Sequence, residues 1–305
     1  MTFNPQLASF LPFRDKDACI AARGIRREDL TTHWNPDFHI RVEDDKHAFY
    51  AAFARDLVDR IRAARDEERE FVAILPCGPV PQYAEAARII NQERLSLTHV
   101  QTFNMDEYAD EEGRTAPADW EGSFASAMCK NFFGLLEPEL LPRKAKIHFP
   151  TSDNISSYST MIEDAGGADV CYGGIGWSGH MAFWEPHLGA EFAGDLDAYR
   201  AAPARLVELH PMTIMQNALH SFGADWSWVP PRAATVGPKD ILGARHRSFW
   251  LDGYLGGGVS WQRFSARLVA HGPVNEFVPG SMLQETRCDY TILGAVADNV
   301  EINMA

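Results

Sequence analysis

Residues 168 to 186 read Ala168-Asp-Val-Cys-Tyr172 and then Gly173-Gly-Ile-Gly-Trp-Ser-Gly-His-Met-Ala-Phe-Trp-Glu-Pro186. The first part predicts a strand, and the glycines after it allow the backbone to adopt positive φ or to lie against a small molecule. A strand that ends in such a loop is typical of an α/β sheet, whose ligands bind beyond the carboxyl ends of the strands. This stretch therefore predicts both the fold class and the place of the chemistry.

Short apolar runs elsewhere alternate with helical patterns. The other predicted strands are His39–Val42, Phe71–Pro76, Val100–Asn104, Ala234–Val236, Ser248–Leu251 and Tyr290–Leu293. The helical patterns run over Phe49–Ile61, Tyr83–Ile90, Phe124–Phe132 and Trp261–Val269. This alternation predicts an α/β fold with a doubly wound, mainly parallel sheet flanked by helices. We expect residues 1–36 to form an irregular extension packed on a single domain that spans residues 37–305.

Composition excludes several classes of protein. The 305 residues carry a formal net charge of −14, which opposes binding to nucleic acid. There is no apolar run of the ~18 residues that a membrane span needs, and the first residues lack the basic start and long apolar stretch typical of a signal peptide. The five cysteines lack a CxxC spacing, so we expect reduced thiols. We expect a soluble, cytoplasmic protein that acts on a small molecule, and homo-oligomer formation stays open.

Two further loops follow predicted strands, at Cys77–Pro81 and at Asn104–Tyr108. The second carries Asp106 and Glu107, and burial beside a strand end raises the pKa of a carboxyl group toward values useful in proton transfer. Asp106 is the candidate general base, and Glu107 is a candidate secondary acid. The alternative is that one of them caps the next helix or faces water.

The glycine-rich loop carries a second pair of candidates, His180 and Glu185. A carboxylate on one ring nitrogen orients an imidazole, so that the other nitrogen is free to move protons on a sugar or carbonyl oxygen. The alternatives are a structural histidine and an ordinary loop acid. The loop lacks the βαβ context of a dinucleotide site, and the acidic residues after Asp106 lack the spacing of a calcium loop. We therefore expect neither a cofactor nor a metal.

Three motifs together resemble the glucosamine-6-phosphate deaminase (isomerase) family, which is related to the 6-phosphogluconolactonases. They are Phe103-Asn-Met-Asp-Glu-Tyr108, Asn131-Phe-Phe133 and Gly174-Ile-Gly-x-x-Gly-His-Met-Ala-Phe-x-Glu-Pro186. The resemblance implies that Asp106 moves a proton between C1 and C2 of an open-chain sugar. It also implies that His180, supported by Glu185, opens the sugar ring.

The chain departs from this family at several positions. Ser178 replaces an aspartate of the ring-opening group, so the imidazolium should be less stabilised. Cys77-Gly-Pro-Val80 replaces a Thr-Gly-Gly-Thr phosphate loop and lacks at least two of its hydrogen-bond donors. Arg205-Leu-Val-Glu208 replaces Arg-x-Lys-Thr, and only Arg263 or Arg267 is at hand to substitute for a later lysine.

Two tryptophans flank His180 where the family has small polar residues. Trp177 and Trp184 can stack on a sugar ring or pack internally. The residues that we expect to contact the substrate are Cys77, Gly78, Gly174, Gly176, Trp177, Ser178, Gly179, Trp184 and Arg205.

The sequence therefore predicts an aldose–ketose isomerase or deaminase whose sugar does not carry the usual 6-phosphate. Two alternatives remain. One is a lactonase-like hydrolase in which His180 activates water. The other is a sugar-binding or regulatory protein that has lost turnover, as Ser178 would allow.

Overall fold

The computed structural model describes residues 5–78 and 80–304. The strands are β1 Phe38–Glu43, β2 Phe71–Leu75, β3 Val100–Asn104, β4 Asp106–Ala109, β5 Ile147–His148, β6 Val170–Gly173, β7 Arg205–Glu208, β8 Arg232–Thr235, β9 His246–Leu251, β10 Tyr254–Gly256, β11 Val259–Ser260 and β12 Cys288–Leu293. The α-helices are α1 Lys16–Gly24, α2 Lys46–Asp66, α3 Pro81–Glu93, α4 Phe124–Asn131, α5 Tyr158–Asp164, α6 Leu196–Arg200, α7 Pro211–Ser221, α8 Pro238–Gly243, α9 Arg263–His271 and α10 Gly294–Ala297. Short 3₁₀ helices span Arg27–Asp29, Phe133–Leu135, Pro138–Leu140, Lys144–Lys146, Ile155–Ser157, Pro186–Glu191, Trp226–Trp228 and Pro279–Glu285.

Seven strands form one parallel sheet in the order β1-β12-β9-β6-β2-β3-β5. The central strands β2 and β9 are buried along their whole length. Side chains on both sides of these strands are buried because helices cover both faces of a parallel sheet. This architecture confirms the predicted α/β class.

The strand order reverses between β2 and β6. From β2 the chain builds outward through β3 to β5, whereas β6, β9 and β12 lie on the other side. Ligands of open α/β sheets bind at such a reversal, outside the carboxyl ends of the strands. The loops after β2, β3 and β6 meet there, and these are the three loops that the sequence singles out.

The segment after Asn104 is a strand, although the sequence predicted a loop. At Met105 the chain leaves the main sheet, and Asp106–Ala109 pairs antiparallel with β8, which in turn pairs with β7. The amide of Val236 donates to the carbonyl of Met105 (2.8 Å) and ties the two sheets together. The predicted strand at 234–236 thus belongs to this smaller sheet, because apolar alternation alone does not say which partner a strand takes.

The first 36 residues are more regular than predicted. Asp15 accepts a hydrogen bond from the amide of Ala18 (2.9 Å) and so caps α1. This helix packs against α9, with Ala22 buried between them and the rest of the fold. Residues 1–4 lie outside the described part, and the division of the chain at residue 36 stays a prediction.

None of the helices in residues 5–78 and 80–304 is both long and apolar enough to cross a membrane.

Candidate active site

The register of the parallel strands brings the three loops into one row. Leu75 of β2 pairs with Asn104 of β3, and Ile74 of β2 pairs with Cys171 of β6. The loop that begins after Leu75 therefore lies between the chain that follows Asn104 and the loop that begins at Gly174. Adjacent strands are about 4.8 Å apart, so these three strand ends span about 10 Å, which is suited to a small ligand.

Asp106 is a buried and largely unpartnered acid. It is 7% exposed, and its carboxylate accepts no hydrogen bond from the residues that the structure describes. Burial raises the pKa of the Asp106 carboxyl well above its ordinary value, and the charge of Glu107 raises it further. A carboxyl group in this state is suited to exchanging a proton near neutral pH.

Glu107 is a helix cap. Its carboxylate accepts hydrogen bonds from the amides of Phe124 (3.0 Å) and Ala125 (2.8 Å) at the start of α4, and from the amide of Tyr108 (2.9 Å). Burial raises the pKa of Glu107, and these three amides partly oppose the rise. Both oxygens are engaged, so the structure favours the capping alternative over the predicted role of secondary acid.

His180 is held by one ring nitrogen. Its Nδ1 lies 2.9 Å from Ser178 Oγ, 3.0 Å from Thr213 Oγ1 and 3.3 Å from Glu185 Oε2. Ser178 Oγ also donates to Glu185 Oε2 (3.4 Å), which leaves the hydroxyl oxygen free to accept from Nδ1–H. This arrangement favours the tautomer in which Nδ1 carries the proton and Nε2 is the free base.

Two positions of the loop require glycine for specific structural reasons. A Cβ on Gly176 would lie 2.0 Å from His180 Nε2, so only glycine lets the imidazole pack against this backbone. Gly179 adopts φ +87°, a conformation that side chains disfavour. The loop sequence is therefore fitted to the position of the His180 ring.

Glu185 supplies the charge that Ser178 cannot. The side chain is fully buried, and Oε1 accepts a hydrogen bond from the amide of His210 (3.2 Å). Its Oε2 faces His180 Nδ1 and Ser178 Oγ. The carboxylate is thus placed to orient the His180 ring and to stabilise its protonated form.

The two candidate centres are joined through β8. Asp106 of β4 pairs with Thr235 of β8, and the Thr235 hydroxyl accepts a hydrogen bond from the amide of Phe183 (3.0 Å) in the His180 loop. The Phe183 ring also contacts the Tyr108 ring (5.7 Å between centroids) and the His180 ring (6.1 Å). The Asp106 strand and the His180 loop therefore form one packed unit.

Several polar residues at this place were missed by sequence reasoning. Gln82, Asn104 and Tyr108 are buried, and their side-chain polar atoms have no hydrogen-bond partner among the described residues. Asn104 and Tyr108 flank Asp106 in its motif, and this adjacency could have indicated them. Gln82 at the start of α3, and Thr213 on α7, gave no sequence signal because their neighbours come from distant segments.

The loop after β2 has room beside it. Cys77 is partly exposed, and a Cβ on Gly78 would meet nothing within 4 Å. Burial raises the pKa of the Cys77 thiol, and Asp106 and Glu107 add to the rise. Pro79, which has no amide hydrogen to donate to a phosphate, lies outside the described residues. On the other side of the row, a Cβ on Gly174 would lie 3.3 Å from the carbonyl of Trp250.

The two tryptophans differ in position. Trp184 is fully buried and packs against Tyr199 and Phe192, so the prediction that it contacts substrate is wrong. Met181 and Trp184 form an isolated antiparallel bridge, and both side chains are fully buried. Trp177 is partly exposed, and its amide donates to Gln216 Oε1 (2.7 Å).

Arg205 is engaged elsewhere. Its guanidinium forms a two-pronged ion pair with Glu191 (2.8 and 3.0 Å) and lies over the Trp184 ring at 4.7 Å. It faces a cavity of about 340 Å³ whose lining includes neither Asp106 nor His180. The expected contact between Arg205 and substrate therefore finds no support.

The two arginines of α9 do not replace the lost cations. Arg263 donates to the carbonyl of Ala295 (3.1 Å) and pairs with Asp298 (3.4 Å). Arg267 is fully buried and donates to the carbonyls of Ile25, Arg263 and Ala297. Both side chains tie α9 to neighbouring segments. In residues 5–78 and 80–304, no group of three histidine, cysteine or acidic side chains is placed to hold a metal ion.

Comparison with known proteins supplies the family. No family model matches the chain. Glucosamine-6-phosphate deaminase of Caenorhabditis elegans is 35% identical over 214 residues, which cover 68% of this chain and 72% of the relative. The protein of that name from Mannheimia succiniciproducens is 32% identical over 236 residues, covering 76% of this chain and 80% of the relative.

Solved structures agree on the fold. A monomeric glucosamine-6-phosphate deaminase aligns with a TM-score of 0.70 at 21% identity, over 85% of this chain and 98% of the other. A 6-phosphogluconolactonase from Thermotoga maritima aligns with a TM-score of 0.58 at 11% identity, over 83% and 98%. With identity of about a third to curated relatives over more than two thirds of its length, the chain belongs to the glucosamine-6-phosphate deaminase family.

Proposed function

We propose that this chain is an enzyme that converts a 2-amino aldose to the corresponding ketose with release of ammonia. The observation that carries the proposal is the His180 ring, whose Nδ1 is held by Ser178, Thr213 and Glu185, in one packed unit with the buried Asp106 carboxyl. One centre is suited to protons on carbon and the other to protons on oxygen. The relatives that share the family carry the name of this activity.

The proposed steps use these two centres in turn. His180 Nε2 takes the proton of the C1 hydroxyl and delivers it to the ring oxygen, and the sugar opens to its aldehyde form. Asp106 then takes the proton from C2 and returns it to C1, while the C1 oxygen gains a proton and the nitrogen loses one, which converts the amino aldose to a ketose imine. Water adds at C2, and ammonia leaves. A positioned general base contributes about 10²–10⁴-fold to such proton transfers.

The substrate is proposed to lack the usual 6-phosphate. Cys77 and Val80 bring no hydroxyl group to the loop after β2, and the Arg205 guanidinium is already paired with Glu191. Arg263 and Arg267 are held by the backbone carbonyls around α9. Each missing charge-assisted hydrogen bond weakens phosphate binding by about 1.5–3 kcal/mol.

A product assay tests the proposal. Glucosamine, glucosamine 6-phosphate and a sugar lactone are incubated with the protein, and ammonia, ketose and acid are measured. We expect ammonia and ketose in equal amounts, and their loss in His180→Gln at unchanged ligand affinity. Acid from the lactone without ammonia would instead identify a hydrolase. Ligand-dependent thermal stabilisation without any product would identify a binding protein.

A further inference from the structure

A second polar cluster stands beside the His180 loop, at the end of the neighbouring strand. Gly173 of β6 pairs with Phe249 of β9, and three residues further on these strands reach Gly176 and Asp252. Gly176 is the residue against which His180 Nε2 packs. Because neighbouring strands lie about 4.8 Å apart, the turn at Asp252 is next to the His180 loop, on the side away from β3 and Asp106.

The side chain of Gln262 forms hydrogen bonds to both turns. Gln262 donates from Nε2 to the carbonyl of Ile175, and its Oε1 accepts from the amide of Gly253 (2.7 Å). The positions of the His180 loop and the Asp252 turn are thus fixed relative to each other by direct hydrogen bonds.

One carboxylate oxygen of Asp252 is available to a ligand. Its Oδ2 accepts a hydrogen bond from the Tyr50 hydroxyl (2.8 Å), and Oδ1 accepts none from a described side chain. Burial raises the pKa of the Asp252 carboxyl, while Tyr50 and the nearby His220 and Lys46 lower it in part. Trp261 lies over the same turn, since its Cε2 would be 2.8 Å from a Cβ on Gly253.

Helix α7 connects this cluster to His180 by a stripe of polar residues. Thr213 contacts His180 Nδ1, and Gln216 accepts from the Trp177 amide. His220 packs edge-on against Trp261 at 5.1 Å between centroids. Residues three, four and seven apart share one face of a helix, so Asn217 lies on this stripe as well.

Two donors beside the stripe have no partner. Trp261 Nε1 and Asn217 Nδ2 are buried atoms without a hydrogen-bond partner in the described part of the chain. A buried donor without a partner costs about 1–3 kcal/mol, so a bound group that accepts these bonds is favoured. Two donors, one carboxylate and an indole face are the set that binds sugar hydroxyls.

Resting on the proposed function, we propose that Asp252, Trp261 and Asn217 form the subsite for the end of the sugar remote from C1 and C2. This subsite takes an uncharged, hydroxyl-bearing end. Asp252 determines specificity, because it accepts a hydrogen bond from a hydroxyl group and repels a phosphate placed there.

Calorimetric titration tests the subsite in an Asp106→Asn background, where turnover is expected to be slowed by about 10²–10⁴-fold. The probes are glucosamine and glucosamine 6-phosphate. We expect glucosamine to bind at least tenfold more tightly than its 6-phosphate, and Asp252→Lys to reverse this order. Asp289→Asn is the matched control, since Asp289 is a partly buried acid at the amino end of β12, and it should leave the ratio unchanged.

Trp261→Phe is a second, milder variant that keeps an aromatic ring but removes the indole N–H. It should weaken glucosamine binding by about three- to tenfold at unchanged thermal stability of the free protein. The subsite is overturned if the ratio of the affinities for glucosamine and its 6-phosphate stays within twofold of the wild-type ratio in both variants. A wild-type preference for the 6-phosphate overturns it as well. Because these are binding constants, such a result leaves the proposed reaction intact. Conversely, absence of ammonia release in the product assay does not alter the ratio.

Discussion

At the residue scale, the buried carboxyl of Asp106 links function to stability. An unfolded aspartate ionises with a pKa of about 3.9, whereas burial raises the pKa of Asp106 in the folded protein. The folded state therefore holds the proton more tightly, and the stability that Asp106 allows falls as pH rises from about 4 to the folded pKa. The fold thus carries a cost at neutral pH for keeping this acid at the site.

The corresponding prediction concerns Asp106→Asn. This variant should be more stable than the wild type at neutral pH, and the difference in the free energy of unfolding should vanish below about pH 4. Its kcat should fall by about 10²–10⁴-fold. Urea unfolding at several pH values checks the stability. A variant that is destabilised equally at every pH would contradict the role of burial.

Thr213 gives a second prediction at this scale. Thr213→Val keeps the shape of the side chain and removes the oxygen 3.0 Å from His180 Nδ1. We expect kcat to fall about fivefold with KM unchanged, since about 1 kcal/mol of orienting hydrogen bond is lost. Steady-state kinetics measures both parameters. An equal loss in kcat for Thr291→Val, a buried threonine of β12, would show that the effect is not specific to the imidazole.

At the element scale, two neighbouring acids of β4, Asp106 and Glu107, have different roles. Asp106 is the proposed base, and Glu107 caps α4 by accepting from the amides of Phe124 and Ala125. The sequence identified both acids, but it could not divide the roles. That division depends on strand alternation, which points successive side chains to opposite faces, and β4 was predicted as a loop.

Glu107→Gln separates the two roles. The variant keeps an acceptor but loses its charge at the helix start, so stability should fall by about 1 kcal/mol. We expect kcat to change less than threefold, in contrast to Asp106→Asn. Thermal unfolding and kinetics on the same preparation give both values. A loss in kcat as large as that of Asp106→Asn would restore Glu107 as a catalytic acid.

At the scale of the whole molecule, the parallel sheet and the three loops at its carboxyl edge could be predicted, because each follows from local apolar runs and glycine-rich turns. Long-range side-chain contacts could not. Trp184 looks like a ligand-binding residue in the sequence, and Arg205 looks like a free cation. Only the folded chain stacks one on the other and pairs Arg205 with Glu191.

Arg267 is a further case in which position in the fold decides the role. Its guanidinium joins α9 to Ile25 in the N-terminal segment and to Ala297 near the C-terminus. Arg267→Met should lower the free energy of unfolding by about 3 kcal/mol, since three carbonyls lose their donor. Chemical denaturation measures this change. A shift in KM at unchanged stability would instead return Arg267 to substrate binding.

Under the proposed function, Asp106 moves the proton at C2 of a sugar that His180 has opened. Proton NMR of glucosamine and glucosamine 6-phosphate in D2O follows this proton directly. With the wild-type protein, the C2–H signal should disappear and the C1 methylene of the ketose should form on at least one of the two sugars, and the rate of this change should fall at least 100-fold in Asp106→Asn. Loss of the C2–H signal at the wild-type rate in Asp106→Asn, or no such loss on either sugar with the wild type, would contradict this role of Asp106.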